Sequence, residues 1–515
     1  MRGVMKGRSY LLKACLFATG CAGIVAEFVL STLASYLLGN TTLQWTLVMS
    51  LMLFAMGLGS GLSRRITTRL LDRFVALEFT LSVLCASCAA AAYFGTALMN
   101  EASAVVYGYA GAIGLLIGME IPLVARMNEA YETLSSNIAS VMEKDYYGAL
   151  VGGLLFAFFA LPKLGLTYTP IALGGVNFVV ASVLLWRYRG LLAWRGQLMA
   201  AFWVSAVGLV GLGVFIRPLV LFGEQSRYRD RVVYEAQTPY QRIVMTEWKG
   251  YYWLFLNGSV QFSTYDEVRY HEPLVHPAMG LASSRERVLI LGGGDGLAAR
   301  EVLKYDDVES IMLVDLDPAM TALAQMHPAL LEANQGALND PRVRVVHWDA
   351  GRFLQNSGEL FDVILIDLPD PKGPDLARLY SKEFYLSCKR HLSRSGVVVT
   401  QSSSPLHATR AFLCVYRTLQ AAGFSVLPYH NAIPTMGDWG WTLGMKAEVV
   451  SVETLKERAM GLDFSEVETV FLNREAMVGM VQFWKGVFEQ AGEVAVNTEL
   501  APVVDRYYRE AEWGW

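Results

Sequence analysis

Charged residues are scarce in the first 221 positions, where long runs rich in Gly, Ala, Leu and Val are broken mainly by short basic clusters. That scarcity excludes an ordinary water-facing surface for this half of the 515-residue chain. Cysteine is sparse as well: the six present have no metal-ligand spacing, which excludes a disulfide framework or a zinc module. Cys21, Cys85 and Cys88 lie in apolar stretches and read as small packing residues. No extended basic face occurs and the net charge is -4, so no nucleic-acid partner is expected. Internal repeats and low-complexity linkers are also missing. After about residue 221 the composition changes to that of a soluble protein, which implies more than one domain.

The apolar half contains seven segments long enough to cross a bilayer, near 11–38, 44–62, 74–98, 104–125, 146–162, 168–186 and 198–221. The first begins with Arg2, Lys6 and Arg8, but it is too long for a signal-peptide core and more spans follow. A multi-pass helical domain over 1–221, in the cell (inner) membrane with the lipid bilayer as partner, is therefore predicted. Between the fourth and fifth segments, Met127 to Lys144 is polar and belongs at the interface or in solvent. Basic residues at the N-terminus, between Ser63 and Arg73 and between Trp186 and Arg195 place the N-terminus in the cytoplasm. Seven crossings then put the C-terminal half outside, so one segment is expected not to cross if that half works in the cytoplasm. Glu27, Glu78 and Glu120 interrupt apolar segments; they either line a cation or polyamine path, or pair with nearby Ser, Thr and backbone groups. Glycines in 57–61 and at 152–153 imply close helix packing.

The soluble half is organised around residues 288–305, VLILGGGDGLAAREVLKY. A buried strand breaks into Gly292, Gly293, Gly294, Asp295 and Gly296 and then enters a helix, a turn in which bare backbone can approach a ligand. The next strand, IMLVDLD, ends with Asp315 about 20 residues beyond the loop, where a ribose-binding carboxylate belongs. Asp295 within the loop disfavours a phosphate or carboxylate and favours an amine or sulfonium; it can also cap the following helix, and the two roles are compatible. Further strands over 343–348 and 361–366 end at Asp349 and Asp367, the latter opening into Asp370, Gly373 and Pro374. Ligands bind outside the carboxyl ends of such strands. Asp295, Asp315, Asp349, Asp367 and Asp370, gathered there with few bases, imply a cationic ligand.

Ahead of this fold, Arg229 to Phe262 alternates like a small antiparallel sheet, with turns at Lys249-Gly250 and Asn257-Gly258. A polar stretch then places Tyr270, His271 and Glu272 side by side, with His276 about one helical turn on. It lacks a second strong His pair or any Cys, so no metal is expected. From Ser451 the chain reads as a helical tail packed on the sheet or on a neighbouring subunit.

These blocks resemble the spermidine synthase (polyamine aminopropyltransferase) family, particularly its membrane-fused bacterial members. The resemblance covers roughly 235–445. It rests on Gln241, LNGSVQ with DEVRYHE, LILGGGDGLAAREVLKY, VDLD, and DVILIDLPDPKGP with LYSKEFY. It implies a membrane domain over 1–221, a small sheet and substrate segment over 222–286, a Rossmann-like domain of the S-adenosylmethionine-dependent transferase type over 287–450, and a tail over 451–515. It further implies transfer of the aminopropyl group of decarboxylated S-adenosylmethionine, the co-substrate, to putrescine or a related amine, in a homo-oligomer such as a dimer. Asp367 matches the family's base, Tyr270 its positioning phenol, and Asp370 the group that binds the distal ammonium. His271 and Asp295 match polyamine contacts. Gln241, Gly292, Gly294, Asp315, Asp349, Ala350 and Pro374 match the nucleoside side, with Asp315 on the ribose and Asp349 near adenine. Leu368 and Pro369 replace two serines between the acids, and Met436 replaces an aromatic, so the acceptor side departs from the family. Either the more apolar wall lets a longer amine, such as cadaverine or spermidine, serve at least comparably with putrescine, or Met436 only fills space and putrescine remains preferred. A methyltransferase sharing the same sheet, and a polyamine sensor or transporter with a synthase-like domain, are the competing possibilities.

Overall fold

The computed structural model describes residues 2–38, 41–99, 102–129 and 134–511, which divide into two compact units, Met1–Val232 and Val233–Trp515. The first unit is helical: α1 (Arg2–Leu38), α2 (Thr41–Ser63), α3 (Leu70–Met99), α4 (Ala102–Asn128), α5 (Leu134–Leu155), α6 (Gly165–Arg187) and α7 (Arg195–Arg227). The last helix runs past the expected limit at 221, which moves the unit boundary to Val232. Among the described residues, six helical runs are long and apolar enough to cross a membrane, against the seven segments read from the sequence. The difference lies in the fifth run, Ser136–Arg187, whose 52 residues continue without a loop through a π-helical segment, Phe156–Leu164.

That run nevertheless reverses. Gly148 abuts Phe17 and Gly152 abuts Cys21, while the Phe28 and Phe156 rings stand 5.6 Å apart, so α5 follows α1 in the same direction. Gly174 abuts Ala86, and Phe178 meets Phe79 at 5.9 Å, so α6 runs against α3. The turn is made at Gly165, whose φ of 63° disfavours any side chain, and Thr169 Oγ1 reaches back to the Ala160 carbonyl at 3.2 Å. Close helix packing is required elsewhere too: a Cβ on Gly59 would fall 1.9 Å from the Leu115 carbonyl oxygen. Leu53, Phe54, Phe158, Val204, Val207 and Val214 are exposed, so much of this unit's exterior is apolar. Glu27, Glu78 and Glu120 are buried, and neither oxygen of Glu78 has a hydrogen-bond partner among the described residues.

The second unit begins with a four-stranded sheet in the order β1 (Arg231–Gln237), β2 (Arg242–Trp248), β3 (Tyr251–Leu256), β4 (Ser259–Ser263). Lys249 and Gly250, then Asn257 and Gly258, all adopt positive φ, the geometry that two-residue hairpins need to match strand twist. Helix α8 (Val268–Leu281) follows, and then the alternating part: β5 (Arg287–Gly292), α9 (Leu297–Val302), β6 (Ser310–Asp315), α10 (Pro318–Met326), α11 (Pro328–Asn334), β7 (Val343–His347), α12 (Ala350–Asn356), β8 (Phe361–Asp367), α13 (Pro374–Ala377), α14 (Lys382–His391), β9 (Leu392–Gln401), α15 (Thr409–Ala421), β10 (Phe424–Ile433) and β11 (Gly437–Lys446). The seven-stranded sheet has the order β10-β11-β9-β8-β5-β6-β7; β5 to β9 are parallel, and β11 and β10 close the edge antiparallel.

Val288 to Leu291 and Val363 to Ile366 are fully buried because helices cover both faces, which is why these strands are apolar at every position. Strand order reverses between β5 and β8, the point in such sheets where ligands bind outside the carboxyl ends of the strands. The tail consists of short helices, α16 (Val452–Met460), α17 (Arg474–Met480) and α18 (Val504–Arg509), joined by irregular chain that packs on the core.

Candidate active site

In-register pairing of β5 with β8 sets Gly292 beside Asp367. The chain must turn here with almost no room: a Cβ on Gly292 would lie 2.0 Å from the Asp367 carbonyl oxygen, and φ at Gly292 is 85°. Gly293 N–H donates to that same carbonyl at 3.1 Å, holding the loop against the end of β8. Asp295, one residue ahead of the Gly296 that opens α9, accepts from Leu297 N–H at 2.9 Å, which satisfies the first amide of the helix.

Asp315, at the end of β6, accepts from Gly294 N–H at 3.1 Å and from Asp317 N–H at 2.8 Å. Burial pushes its carboxyl up to about 6, against the pull of those two amides. Gln241 approaches from the connection between β1 and β2; its Nε2 donates at 3.0 Å to Asp317 Oδ2, which also accepts from Thr238 Oγ1 at 2.8 Å.

Tyr270 on α8 donates its hydroxyl to Asp367 Oδ1 at 2.7 Å. The next residue, His271, offers a ring nitrogen within 4.8 Å of carboxylate oxygens of Asp295 and Asp367. The two carboxylates of this set carry the negative charge that an ammonium would meet. On its other side, His271 Nδ1 bonds Glu267 Oε2 at 2.9 Å, and Glu267 is held by Arg300 Nη1 and Nη2 at 2.7 and 2.9 Å. Burial alone lowers the imidazole, but the Glu267 bond and the surrounding carboxylates outweigh it and raise His271 to about 9. At neutral pH it is an imidazolium. Asp295 is pushed up to about 6, chiefly by burial, with His271 opposing. Burial raises Asp367 too, while His271 and the Tyr270 hydroxyl hold it down.

The remaining sequence candidates form two further groups. Asp370, on the loop that leaves β8, is raised mainly by burial; Tyr508 Oη donates to its Oδ2 at 2.7 Å, and Gln401 Nε2 lies 3.4 Å from its Oδ1. Asp349 caps α12 through Arg352 N–H at 2.9 Å and forms an ion pair with Arg378, beside buried Ala350. Pro374 starts α13 and is exposed. The expectation of acids with few bases is thus corrected: Arg378, His271 and Lys372 are spread among them. Two residues of the polar stretch do structural work instead. Glu272 accepts from the N–H groups of Val470, Phe471 and Leu472 at 2.6–2.9 Å, and His276 is bound between Tyr305 and Glu301.

Glu267, Arg300 and Tyr380 lie inside the quoted blocks without standing out as site residues, and nothing in the sequence singled out Gln401 or Tyr508. Gln401, at the end of β9, was open to the same strand-end logic as the acids. It bonds Tyr380 at 2.6 Å and the Leu368 carbonyl at 3.0 Å, while Tyr380 Oη donates to the carbonyls of Leu368 and Pro369. The apolar pair between the acids is thereby held through its backbone rather than through hydroxyl side chains.

Residues 267–456 match the Spermine/spermidine synthase domain family. Polyamine aminopropyltransferase 2 of Aquifex aeolicus is 41% identical, over 97% of this chain and 98% of that protein. Polyamine aminopropyltransferase 2 of Ralstonia nicotianae is 42% identical, over 84% and 86%, and the polyamine aminopropyltransferase of Oceanobacillus iheyensis 37%, over 95% of each. A crystal structure of spermidine synthase from Thermotoga maritima aligns with a TM-score of 0.45 at 29% identity, covering 51% of this chain and 88% of that one. A spermidine synthase solved with the transition-state analogue AdoDATO aligns with a TM-score of 0.46, also at 29% identity, covering 51% and 89%.

Proposed function

The chain belongs to the spermine/spermidine synthase family and is a polyamine aminopropyltransferase, and we propose that Asp367, Tyr270, His271, Asp295 and Asp370 carry its chemistry. It transfers the aminopropyl group of decarboxylated S-adenosylmethionine to an amine and releases methylthioadenosine. The amine nitrogen attacks the methylene next to the sulfonium; a carbon–nitrogen bond forms as the carbon–sulfur bond breaks, and the electron pair stays on sulfur as a neutral thioether. The leaving group needs no acid. The attacking amine, however, must lose a proton, and Asp367 takes it.

The observation that carries this reading is the position of Asp367. It stands at the strand ends, accepts the Tyr270 hydroxyl at 2.7 Å, and shares a compact cluster with His271 and Asp295. Tyr270 fixes which oxygen faces the amine. The His271 imidazolium opposes the upward push that burial gives Asp367 and Asp295. Asp295 draws in the ammonium of the aminopropyl group and repels the carboxylate of intact S-adenosylmethionine. Asp315 takes the ribose hydroxyls over the bare backbone of Gly292 and Gly294, with Gln241 behind it. Asp349, Ala350 and Pro374 border the base, and Asp370 receives the acceptor's distal ammonium.

We further propose that the helical unit lies in the cell membrane, because its exterior is apolar, and that the catalytic unit faces the cytoplasm, where its co-substrate is made. Release of methylthioadenosine from decarboxylated S-adenosylmethionine by the purified chain, across a panel of amines, tests the site reading. Carbonate-resistant sedimentation with membranes tests the anchoring. Turnover with intact S-adenosylmethionine as methyl donor instead would replace the first reading with the methyltransferase one.

A further inference from the structure

We infer that Tyr508 and Lys372 form the outer wall of the acceptor site and fit it to a diamine, turning away amines that carry a third ammonium; this rests on the reading of Asp370 as the receiver of the distal ammonium. Tyr508 is 138 residues from Asp370 in sequence, yet its hydroxyl donates to Asp370 Oδ2 at 2.7 Å and its side chain is buried. The short helix α18 that carries it is firmly placed. Fully buried Asn497 accepts from the N–H groups of Val503 and Val504 at 2.9 and 3.3 Å, and donates to the Ala377 carbonyl at 2.7 Å.

Lys372 completes the wall. Its backbone N–H donates to the Asp370 carbonyl at 2.7 Å, a tight turn that keeps the two side chains close. Its ammonium stands 5.7 Å from the centroid of the Tyr508 ring and donates to Ser259 Oγ on β4. Asp370 therefore has a phenol on one oxygen, an amide facing the other, and, two residues on, the Lys372 ammonium tied to Ser259. One incoming ammonium can share this carboxylate. A third ammonium further along the same amine would be brought toward Lys372, a like charge, and toward a ring already facing that cation. Rejection of the longer substrate thus comes from a repulsive element as much as from lack of room. Asp367 and the nucleoside side are untouched by this selection, so it acts on the choice of acceptor and not on the transfer itself.

The test is a set of specificity constants for putrescine and spermidine, measured as methylthioadenosine release by the full-length chain. The wild type is expected to favour putrescine. Lys372→Met should narrow that preference about tenfold or more by removing the like charge. Tyr508→Phe, which keeps the ring, should raise KM for putrescine about tenfold, with a smaller effect on kcat, because one hydrogen bond to a charged group is lost. A wild type that uses spermidine as well as putrescine overturns the inference. So does an unchanged ranking of the two amines in both variants. Asp370→Asn separates the two levels: an unchanged KM for putrescine there would refute the role of Asp370 itself. A raised KM there, with ranking unmoved in the other two variants, refutes only the wall.

Discussion

Replacing Asp367 with Asn is the most informative single change. The side chain keeps its shape, and the backbone carbonyl still accepts from Gly293 N–H, so the junction of β5 and β8 is preserved. The amide oxygen can still accept the Tyr270 hydroxyl, now at 2.7 Å from Oδ1. What disappears is the capacity to take the amine proton. A positioned general base is worth about 100- to 10,000-fold, or roughly 3–5 kcal/mol of barrier, and no other carboxylate shares the Tyr270 bond. A fall in kcat of at least about 100-fold is expected, with calorimetric affinity for decarboxylated S-adenosylmethionine kept within about threefold.

The pH profile gives an independent sign. A base works deprotonated, so activity is present above its folded-state pKa and lost as pH falls through it. Burial raises Asp367 above the ordinary 3.8, so the wild-type acid limb should lie above that value, and D367N should lose it. Tyr270→Phe should cost activity in the wild type but little in D367N, since the two residues act as one unit. Wild-type-like turnover in D367N, or additive losses in the double variant, would refute the assignment.

Three other outcomes are expected. Calorimetry should show tighter binding of decarboxylated than of intact S-adenosylmethionine, and Asp295→Asn should narrow that gap; equal wild-type affinities would count against the role of Asp295. Gly294→Ala would place a Cβ 2.5 Å from Asp315 Oδ2, so nucleoside binding should weaken about tenfold or more while circular dichroism stays unchanged. Because His271 is raised from 6.5 to about 9 by Glu267, the pair's stabilisation is full below pH 6.5 and lost as pH rises through about 9. Thermal unfolding of the whole chain between pH 6 and 10 should follow that slope, and Glu267→Gln should flatten it; identical slopes would exclude the linkage.

Features that depend on neighbours in the chain are legible in the residues themselves. The glycine loop of 288–305 is legible because strand, turn and helix are contiguous, and the acids at 315, 349 and 367 because each closes an apolar strand. Lys249-Gly250 and Asn257-Gly258 declare their turns because positive φ is a local demand. Length and apolarity likewise announced a helical first half. Tertiary structure alone decided the rest. The sequence separates 146–162 from 168–186, but that the chain joins them through a π-helical segment with no loop and turns at Gly165 is seen only in the packing against α1 and α3. That Asp349 is ion-paired with Arg378, and that Glu267 carries Arg300 to His271, follows from approaches across 29 and 33 residues. Tyr508 meets Asp370 only because the tail docks on the core. A phenol's chemistry is written in the sequence; the carboxylate it faces is chosen by the fold.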